Sequence, residues 1–534
     1  MMQSAPSPLQ SKVHLNSLSH LAPTDLMDTL EEEPRRHHRT KTILYCVGAS
    51  WGSAAYGYGA SIIATTIGQP SFLRKMGLDT APNASALLGA ANALYFVGGF
   101  FGALLVAAYA DKYGRRPVMA AAAAIMLVSS ALLAASVHIA MFLVFRFANG
   151  IGGYMAMTSI PLWITEIVPP KHRGALNDIC PIFINVGYVS ASWIGIGFFF
   201  LDTQDAWRAP LAMGCLPCLL CLVSLWFVPE SPRYYLLKDR PEEAWNIICS
   251  IHTHHGDETF ARHEFQQMKH QIQLERSLDA SYLQMVKRPS YRKRVLMAIF
   301  LVFTCVSSGV LVINNYATLI YGALGYSNKD QLFLQAGWVM AAFLFNMLAP
   351  IWVDRMPRPR LMLIGFSGCV SSVVIQMALL ASYGDTTNKA ALGACVAFLY
   401  LFVSFYGGFL DGVTWWYTGE IFPTHIRAHG MTIGMATYAV TNIVWLQAAP
   451  TAFKNIGWRY YLFFIAFTSV GTIIIWLTFP DTLNKPLEEI AALFGDDDLV
   501  AAYEDYGLAE GGTGLKEEAK VCSNSQELEH SGRE

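Results

Sequence analysis

Three short charged motifs occur twice in this chain, and each copy stands at the end of a long apolar run. The motif at 111–116 (Asp-Lys-Tyr-Gly-Arg-Arg) returns in shortened form at 354–358 (Asp-Arg-Met-Pro-Arg). The other two pairs are Glu166-Ile167-Val168-Pro169 with Glu420-Ile421-Phe422-Pro423, and Pro229-Glu230-Ser231 with Pro480-Asp481-Thr482. The copies stand roughly 250 residues apart, and self-similarity over such a distance indicates two related halves.

The apolar runs between these motifs have the length of membrane spans. With 54% hydrophobic and 14% charged residues, the chain of 534 residues carries more apolar surface than a soluble protein could bury. A bilayer is crossed by about 20 apolar residues in a helix. Twelve such runs begin near Ile43, Ala86, Pro117, Ala140, Gly174, Arg208, Val295, Gln331, Leu361, Ala391, Ala428 and Trp458. We therefore predict an all-α membrane protein with twelve transmembrane helices in two six-helix halves.

Basic residues decide the predicted orientation. Lys and Arg concentrate before the first span and in the connections that follow the even-numbered spans. Cytosolic connections carry this excess, so both termini are predicted to be cytosolic, in a multi-pass protein of the plasma membrane. The sequon Asn83-Ala84-Ser85 then lies in an outer connection, which predicts glycosylation of Asn83.

The composition along the chain predicts five regions. Residues 1–40 are polar and charged, which predicts a disordered cytosolic N-terminus without a cleavable signal peptide. The N-terminal six-helix half occupies 41–228, and the C-terminal half occupies 294–480. Between them, 229–293 mixes charge with intermittent apolar residues, which predicts short cytosolic helices. The acidic segment 481–534 is predicted to be a cytosolic tail.

Several classes of function are disfavoured. Of ten cysteines, most lie in apolar runs without histidine partners, so neither a metal site nor a disulfide is predicted. The net charge is −2 and the basic residues form no patch, so a nucleic-acid partner is not expected. No nucleophile beside a base and no phosphate-binding glycine loop occurs, so an enzyme is not predicted and no cofactor is expected. We expect a functional monomer.

Acids and bases from both halves are predicted to share one membrane face. Such charges suit a two-state device in which pairs form when the cytosolic side closes. The alternative is that they only set the topology. The predicted gating residues are Asp111, Arg115, Arg116, Glu166, Arg173, Glu230, Arg233, Asp354, Arg355, Arg358, Glu420 and Arg427.

From about Ile43 to Ile490 the chain resembles the sugar porter family of the major facilitator superfamily, in its fungal type. The motifs that carry the resemblance are 111–116, Arg146 with Gly150, Gly152, Pro161 and Glu166, Arg173-Gly174, Trp207-Arg208, 229–233 (Pro-Glu-Ser-Pro-Arg), Trp415 with Glu420, Pro423 and Arg427, and 480–490. The resemblance implies the major facilitator fold and a central cavity near the membrane midplane. It also implies a secondary transporter that moves a sugar or a related polyol-like molecule by alternating access, as uniport or proton symport.

The chain departs from this family where proton-coupled members carry acids. Gly59 stands where they have Asp in span one, and Gly214 stands where they have an acid in span six. Arg146 is thereby left without either family partner. It stays a coupling candidate, and the alternative is that it attracts an anionic group.

Asp411 lies well inside span ten. An ionised carboxylate at membrane depth costs roughly 2.5–3.5 kcal/mol on insertion scales, and such residues are usually functional. We predict that Asp411 couples transport to protons or binds substrate. The alternative is a structural cap where Gly407, Gly408 and Gly412 break the helix.

Sugar-binding positions of the family have changed as well. Its glutamine in span five falls at Pro181, and its paired glutamines in span seven fall near Cys305 and Val306. Lost amides matter because a site built on them rejects ligands that lack the partner group. The predicted substrate-binding residues are Trp415, Asn442, Tyr438, Asn314, Asn315, Tyr188 and Asp411. Because of these losses, a non-sugar such as a fungal secondary metabolite or organic acid remains the alternative cargo, and a non-transporting nutrient sensor is less favoured.

Overall fold

The computed structural model describes residues 36–168, 176, 179–201, 203–252, 261–262, 264–266, 268–269, 272–273, 282–353, 355–383, 386, 388–483, 485 and 487–496. The predicted gating residues Arg173 and Asp354 lie outside these ranges. So do most of the predicted disordered N-terminus and most of the predicted C-terminal tail.

The described chain is helical, and no strand occurs within it. The helices of the first half are α1 (Arg36–Ile67), α2 (Pro70–Lys75), α3 (Ala84–Tyr113), α4 (Arg115–Ala134), α5 (Ile139–Ile167), α6 (Ile179–Phe199), α7 (Arg208–Met213) and α8 (Cys215–Phe227). Short helices follow, namely α9 (Pro232–Leu237), α10 (Pro241–His252) and α11 (Tyr282–Lys287). The second half contains α12 (Pro289–Val306), α13 (Val310–Asn315), α14 (Ala317–Ala323), α15 (Asn328–Leu348), α16 (Pro350–Val353), α17 (Arg358–Tyr383), α18 (Lys389–Phe409), α19 (Asp411–Glu420), α20 (Thr424–Ile456) and α21 (Tyr461–Thr478), and α22 (Leu487–Leu493) comes last.

The long helices supply the twelve predicted spans. Ten stretches of the described chain are long and apolar enough to cross a membrane by length and composition. The last of them, His425–Thr478, holds two separate helices, α20 and α21. The helix α1, of 32 residues, adds the remaining span. The prediction of an all-α chain with twelve membrane helices is confirmed.

Several spans are broken in the middle. Span six changes from α7 to α8 at Gly214, and span seven changes from α12 to α13 at 307–309, where Gly309 has a φ of +88°. Only glycine adopts that left-handed conformation without steric cost. Span ten is broken at Leu410, so that α19 begins with Asp411. Broken helices at membrane depth are typical of places where a cavity is lined.

Each half is a bundle, and the most extensive packing between the halves involves two pairs of helices. Within the first half, α1 packs on α6, and α5 packs on α3 and α4; within the second half, α17 packs on α18 and α21. Between the halves, α3 lies along α20 and α6 lies along α15. Hydrogen bonds from Thr318 to the Ala64 carbonyl (3.5 Å) and from Gln447 to the Ala86 carbonyl (3.4 Å) cross this boundary. They lie at the helix ends opposite the repeated charged motifs.

Candidate functional site

A buried arginine organises the charged motifs of the first half. Arg115 is 3% exposed and its guanidinium lies 2.8 Å from Oε1 of Glu166, which is 4% exposed. It also donates to the Ala110 carbonyl at 3.1 Å. Glu230 accepts from the backbone N–H of Arg115 at 3.0 Å. Burial raises the pKa of Glu230 above its ordinary value, and hydrogen bonds from backbone N–H groups oppose that shift.

The second half repeats this cluster almost group for group. The Arg358 guanidinium lies 2.9 Å from Oε1 of Glu420 and donates to the Val353 carbonyl at 2.8 Å. Asp481 accepts from the backbone N–H of Arg358 at 3.0 Å, as Glu230 does from Arg115. In both clusters the carbonyl acceptor stands five residues before the arginine.

A hydrogen bond from an aromatic side chain completes the charged cluster in each half. The indole of Trp163 donates to the Pro229 carbonyl at 3.1 Å, and the hydroxyl of Tyr417 donates to the Pro480 carbonyl at 3.0 Å. Each donor stands three residues before the glutamate of its cluster. The three repeated motifs therefore meet in space, once in each half and at the same membrane face.

The pairing differs from our expectation in one respect. We expected the acids and bases to pair as the two halves close on each other. Instead, Arg115 pairs with Glu166 and Arg358 pairs with Glu420, so each pair joins helices of a single half. A change in the angle between the halves moves each cluster as a unit, because its members all belong to one bundle.

The other predicted gating residues surround these clusters. Asp111 lies 2.9 Å from Arg115 but is 71% exposed, and Arg233 lies 4.0 Å from Glu166. Arg116 donates its backbone N–H to Glu230 and its guanidinium to the Trp226 carbonyl. The guanidinium of Arg427 donates to the Phe422 carbonyl, and Arg355 is exposed. Their gating role stays a prediction.

A cavity lies between the halves and is lined by residues from both of them. The polar lining consists of Asn185 and Tyr188 from α6, Asn314 from α13, Asn346 from α15, Tyr406 from α18, Asp411 from α19 and Tyr438 from α20. Apolar lining comes from Val310, Leu311, Trp338, Val339, Ala342 and Val403, with Gly407 beside them. The described lining contains one carboxylate and no basic side chain.

Asp411 lines this cavity at the break in span ten. Its Oδ2 accepts a hydrogen bond from Nδ2 of Asn346 at 2.6 Å. Because α18 ends at Phe409 and α19 starts at Asp411, the helix break that the glycine pattern favours is present. Asp411 is thus the first residue of α19 and lies on the cavity wall, but this helix start has no side-chain cap bond.

The side-chain amide of Asn314 is held by a buried glutamine of the neighbouring helix. Gln335 is fully buried in α15 and donates through Nε2 to the backbone carbonyl of Asn314 at 3.0 Å and to its Oδ1 at 2.8 Å. With its oxygen engaged, the Asn314 side chain keeps its Nδ2 as a hydrogen-bond donor.

Four of the seven predicted substrate-binding residues line the cavity, namely Tyr188, Asn314, Asp411 and Tyr438. The other three do not. Asn442 donates to the Tyr438 carbonyl within α20, and the ring of Trp415 packs against that of Tyr438 at 5.6 Å. Asn315 is 1% exposed and is not among the residues that line the cavity.

Sequence reasoning missed several lining residues. Asn346 and Asn185 are polar residues inside apolar spans, so their depth could have marked them. Tyr406 is harder to find, because an aromatic residue in a membrane helix is ordinary. At Cys305, where the resemblance places a family glutamine, the thiol contacts the Tyr406 hydroxyl at 3.4 Å behind the cavity wall.

Arg146 is buried away from this cavity. It is 1% exposed, donates to the carbonyls of Gly59 (2.7 Å) and Ala91 (3.1 Å), and lies 4.7 Å from the ring centre of Tyr95. Within the described chain, no salt bridge to Arg146 is formed. Backbone carbonyls and an aromatic face therefore stabilise this cation where the related carriers are expected to use acids.

The chain matches the family model described as sugar (and other) transporter over residues 45–494. It belongs to that family, and it is a secondary transporter of the major facilitator type. The transporter criB of Aspergillus cristatus is 30% identical to it over 83% of this chain and 90% of the relative. A high-affinity glucose transporter of Kluyveromyces lactis is 27% identical over 75% of this chain and 76% of the relative.

The fold is also that of a solved transporter. The xylose transporter XylE from E. coli, in a partially occluded inward-open conformation, superposes with a TM-score of 0.72 at 21% identity. The match covers 83% of this chain and 99% of the other. The major facilitator fold predicted from the sequence is thereby confirmed.

Proposed function

We propose that the cavity between the halves carries a neutral polyhydroxylated molecule, such as a sugar, across the membrane by alternating access. The observation that carries this proposal is the lining. Three asparagines, three tyrosines and Asp411 line the cavity, and the described lining holds no basic side chain. Hydroxyl groups of a ligand can both donate to and accept from this set.

The charge of the lining also bears on the alternative cargo. An ionised organic acid would place its carboxylate near Asp411 without a cation to offset the repulsion. Tyr188, Tyr406, Tyr438 and Trp338 supply aromatic surface against which a sugar ring can pack. The same surface suits an uncharged aromatic metabolite, which is the second candidate.

A panel of cargoes separates these candidates. Purified protein in proteoliposomes would be offered labelled hexoses, pentoses and polyols in competition with one another and with aromatic and acidic compounds. We expect saturable uptake of a neutral polyol or sugar. Uptake of an aromatic compound that no sugar inhibits would support the second candidate, and uptake of an organic acid would contradict both.

The transport can be either uniport or proton symport. The absence of an acid at Gly59 favours uniport, because the family's inherited proton site is then missing. The position of Asp411 on the cavity wall favours proton symport, because a carboxylate there can exchange a proton with whichever side the cavity faces.

The variant Asp411→Asn distinguishes them. Symport requires that an inward pH gradient drive accumulation by the parent protein and that Asp411→Asn abolish this accumulation. Uniport requires uptake that ignores the gradient in both. Asp79→Asn is the matched control, because Asp79 is exposed and lies far along the chain from the lining.

We further propose that the protein acts as a monomer in the plasma membrane, with both termini in the cytosol. The exposed Asn83 at the start of α3 supports this orientation, since it lies at the ends opposite the charged clusters. If the orientation is right, glycosidase treatment of the protein from its own host shifts its mobility, and Asn83→Gln abolishes the shift.

A further inference from the structure

The end of the described chain is held at the start of the second half. After α22 the chain reaches Asp496, which is 1% exposed. Its carboxylate lies 2.6 Å from the guanidinium of Arg294 and 3.2 Å from that of Arg288. It also accepts a hydrogen bond of 2.5 Å from the hydroxyl of Ser290. We call this set of four residues the tail clamp.

Apolar contacts accompany the tail clamp. Ile490, Ala491 and Phe494 are buried with the second half. The Arg294 guanidinium lies 4.4 Å from the ring centre of Phe494. A buried carboxylate with two arginines is costly to disrupt on one side only, because the remaining charges lose their partner.

The tail clamp coincides with a charged sequence that the transport mechanism does not use. Lys287 and Arg288 stand three and two residues before Ser290, and Pro289 separates them from it. Kinase–substrate pairs are selected by such charge patterns, and a serine preceded by basic residues suits a kinase with an acidic substrate groove. Ser290 also lies in the first turn of α12, where a helix favours negative charge.

We propose that Ser290 is a phosphorylation site and that its phosphate displaces Asp496 from the tail clamp. The phosphoryl group passes from the terminal phosphate of a nucleoside triphosphate to Oγ of Ser290. The Ser290 O–H bond breaks, its proton passes to the kinase base and then to solvent, and the nucleoside diphosphate leaves. The proposal goes beyond the transport function and requires only that this face be cytosolic.

Electrostatics favours the exchange. A phosphoserine carries about −1.5 to −2 charges and three acceptor oxygens, which is more than the carboxylate of Asp496 offers. Arg294 stands four residues after Ser290 on the same helix, so the two side chains are neighbours. Once both arginines bind the phosphate, the Asp496 carboxylate has lost its hydrogen-bond donor and meets a like charge. The segment 487–496 is then released.

Because Ser290 is buried, binding of Asp496 in the tail clamp and phosphorylation of Ser290 exclude each other. Ser290 is 9% exposed while Asp496 occupies the tail clamp. A kinase therefore reaches Ser290 only when the tail has left, and the phosphate then prevents its return. Phosphorylation of Ser290 thus takes place after the tail has been released and keeps the tail released.

The first test is modification of the purified full-length protein. It would be incubated with ATP and the catalytic subunit of a kinase that selects basic residues before serine, and phosphopeptides would be quantified by mass spectrometry. We expect phosphate on Ser290 and none at this position in Ser290→Ala. Asp496→Asn loosens the tail clamp and should raise the initial rate about tenfold, as expected when an opening step limits access.

Two outcomes of this experiment overturn the proposal. One is the absence of phosphate on Ser290 in both the parent and Asp496→Asn. The other is an equal rate in the two proteins. Phe494→Ala serves as a second loosened variant if Asp496→Asn is not recovered folded, as judged by size-exclusion chromatography.

The second test measures release of the tail. Hydrogen exchange of the peptide that covers 487–496 would be compared before and after phosphorylation. We expect exchange to become at least about tenfold faster in that peptide. Phosphorylation of Ser290 with unchanged exchange would show that Asp496 stays in place, which contradicts the displacement. Ser290→Ala treated with the same kinase is the control.

Discussion

The two halves of this protein match closely at the membrane surface and differ in the membrane interior. At the surface, Arg115 and Arg358 keep matching partners, down to a backbone N–H bonded to an acid at 3.0 Å in each half. In the interior, Arg146 of the first half donates hydrogen bonds to backbone carbonyls. Asp411 of the second half accepts a hydrogen bond from an asparagine side chain.

The difference has a physical basis in the contacts that each position makes. A surface cluster fastens several helix ends of one bundle, so the loss of one member leaves a buried charge unpaired. Asp411 lies on the cavity wall and has to suit the cargo, whereas Arg146 lies away from the cavity and is bonded to backbone carbonyls. The surface clusters therefore show the duplication more clearly than the interior does.

The largest effect should come from Arg115→Met. Because Arg115 and Glu166 are 3% and 4% exposed, Arg115→Met takes from a buried carboxylate the nearer of its two arginines, the other being Arg233 at 4.0 Å. We expect a loss of about 3–5 kcal/mol in the free energy of unfolding. Thermal unfolding in detergent would measure it, with the exposed Arg360→Met as control. A change no larger than that of the control would mean that the cluster does not stabilise the first half.

The matching change in the second half should cost less. Glu420 is 28% exposed, so water can solvate it when Arg358→Met removes the cation. We expect a loss of about 1.5–3 kcal/mol, the range for hydrogen bonds to a charged group. The same unfolding assay applies, and equal losses in the two halves would show that burial does not set the difference.

The space around Arg146 gives a third test. A Cβ at Gly59 would lie 2.6 Å from Oδ1 of Asn149, whereas a Cβ at Gly197 would meet nothing within 4 Å. Gly59→Ala should therefore destabilise the protein by about 1–3 kcal/mol through overpacking. Gly197→Ala is the matched control and should unfold like the parent. Normal stability of Gly59→Ala would show that the surroundings of Gly59 can accommodate a methyl group.

The smallest effect should come from Asn346→Leu. It removes the amide that holds Asp411, but cavity water can replace that donor. We expect the KM for the transported molecule to rise roughly 5–10-fold, which corresponds to about 1–1.4 kcal/mol, with little change in unfolding temperature. Asn346→Gln keeps the amide and should recover part of the affinity. An unchanged KM in the leucine variant would mean that the orientation of Asp411 does not matter for binding.

Much of the fold could be predicted because the bilayer leaves few alternatives. A run of about 20 apolar residues has to satisfy its backbone as a helix, so counting runs amounts to counting spans. The charged motifs were found for a similar reason, since charge is tolerated only at the ends of such runs. Their pairing within one half could not be read, because helix ends that are distant in sequence meet only after packing.

The cavity wall was harder to predict than the spans. Asp411 and Tyr438 were found, but Asn442, four residues from Tyr438, bonds to its own helix and not to the cavity. Which face of a helix points inward depends on its rotation and on breaks such as that at Leu410. Gln335 was missed because it acts behind Asn314, through a contact between two helices.

The sequence by itself determined the membrane class, the number of spans, the duplication and the family, because each is expressed in hydropathy and in charged residues at fixed positions. The tertiary structure decided which charges pair, which predicted residues reach the cavity, and that Asp496 rests against Ser290 and Arg294. These outcomes depend on helix rotation and on contacts between distant segments. Neither is specified by a local pattern of residues.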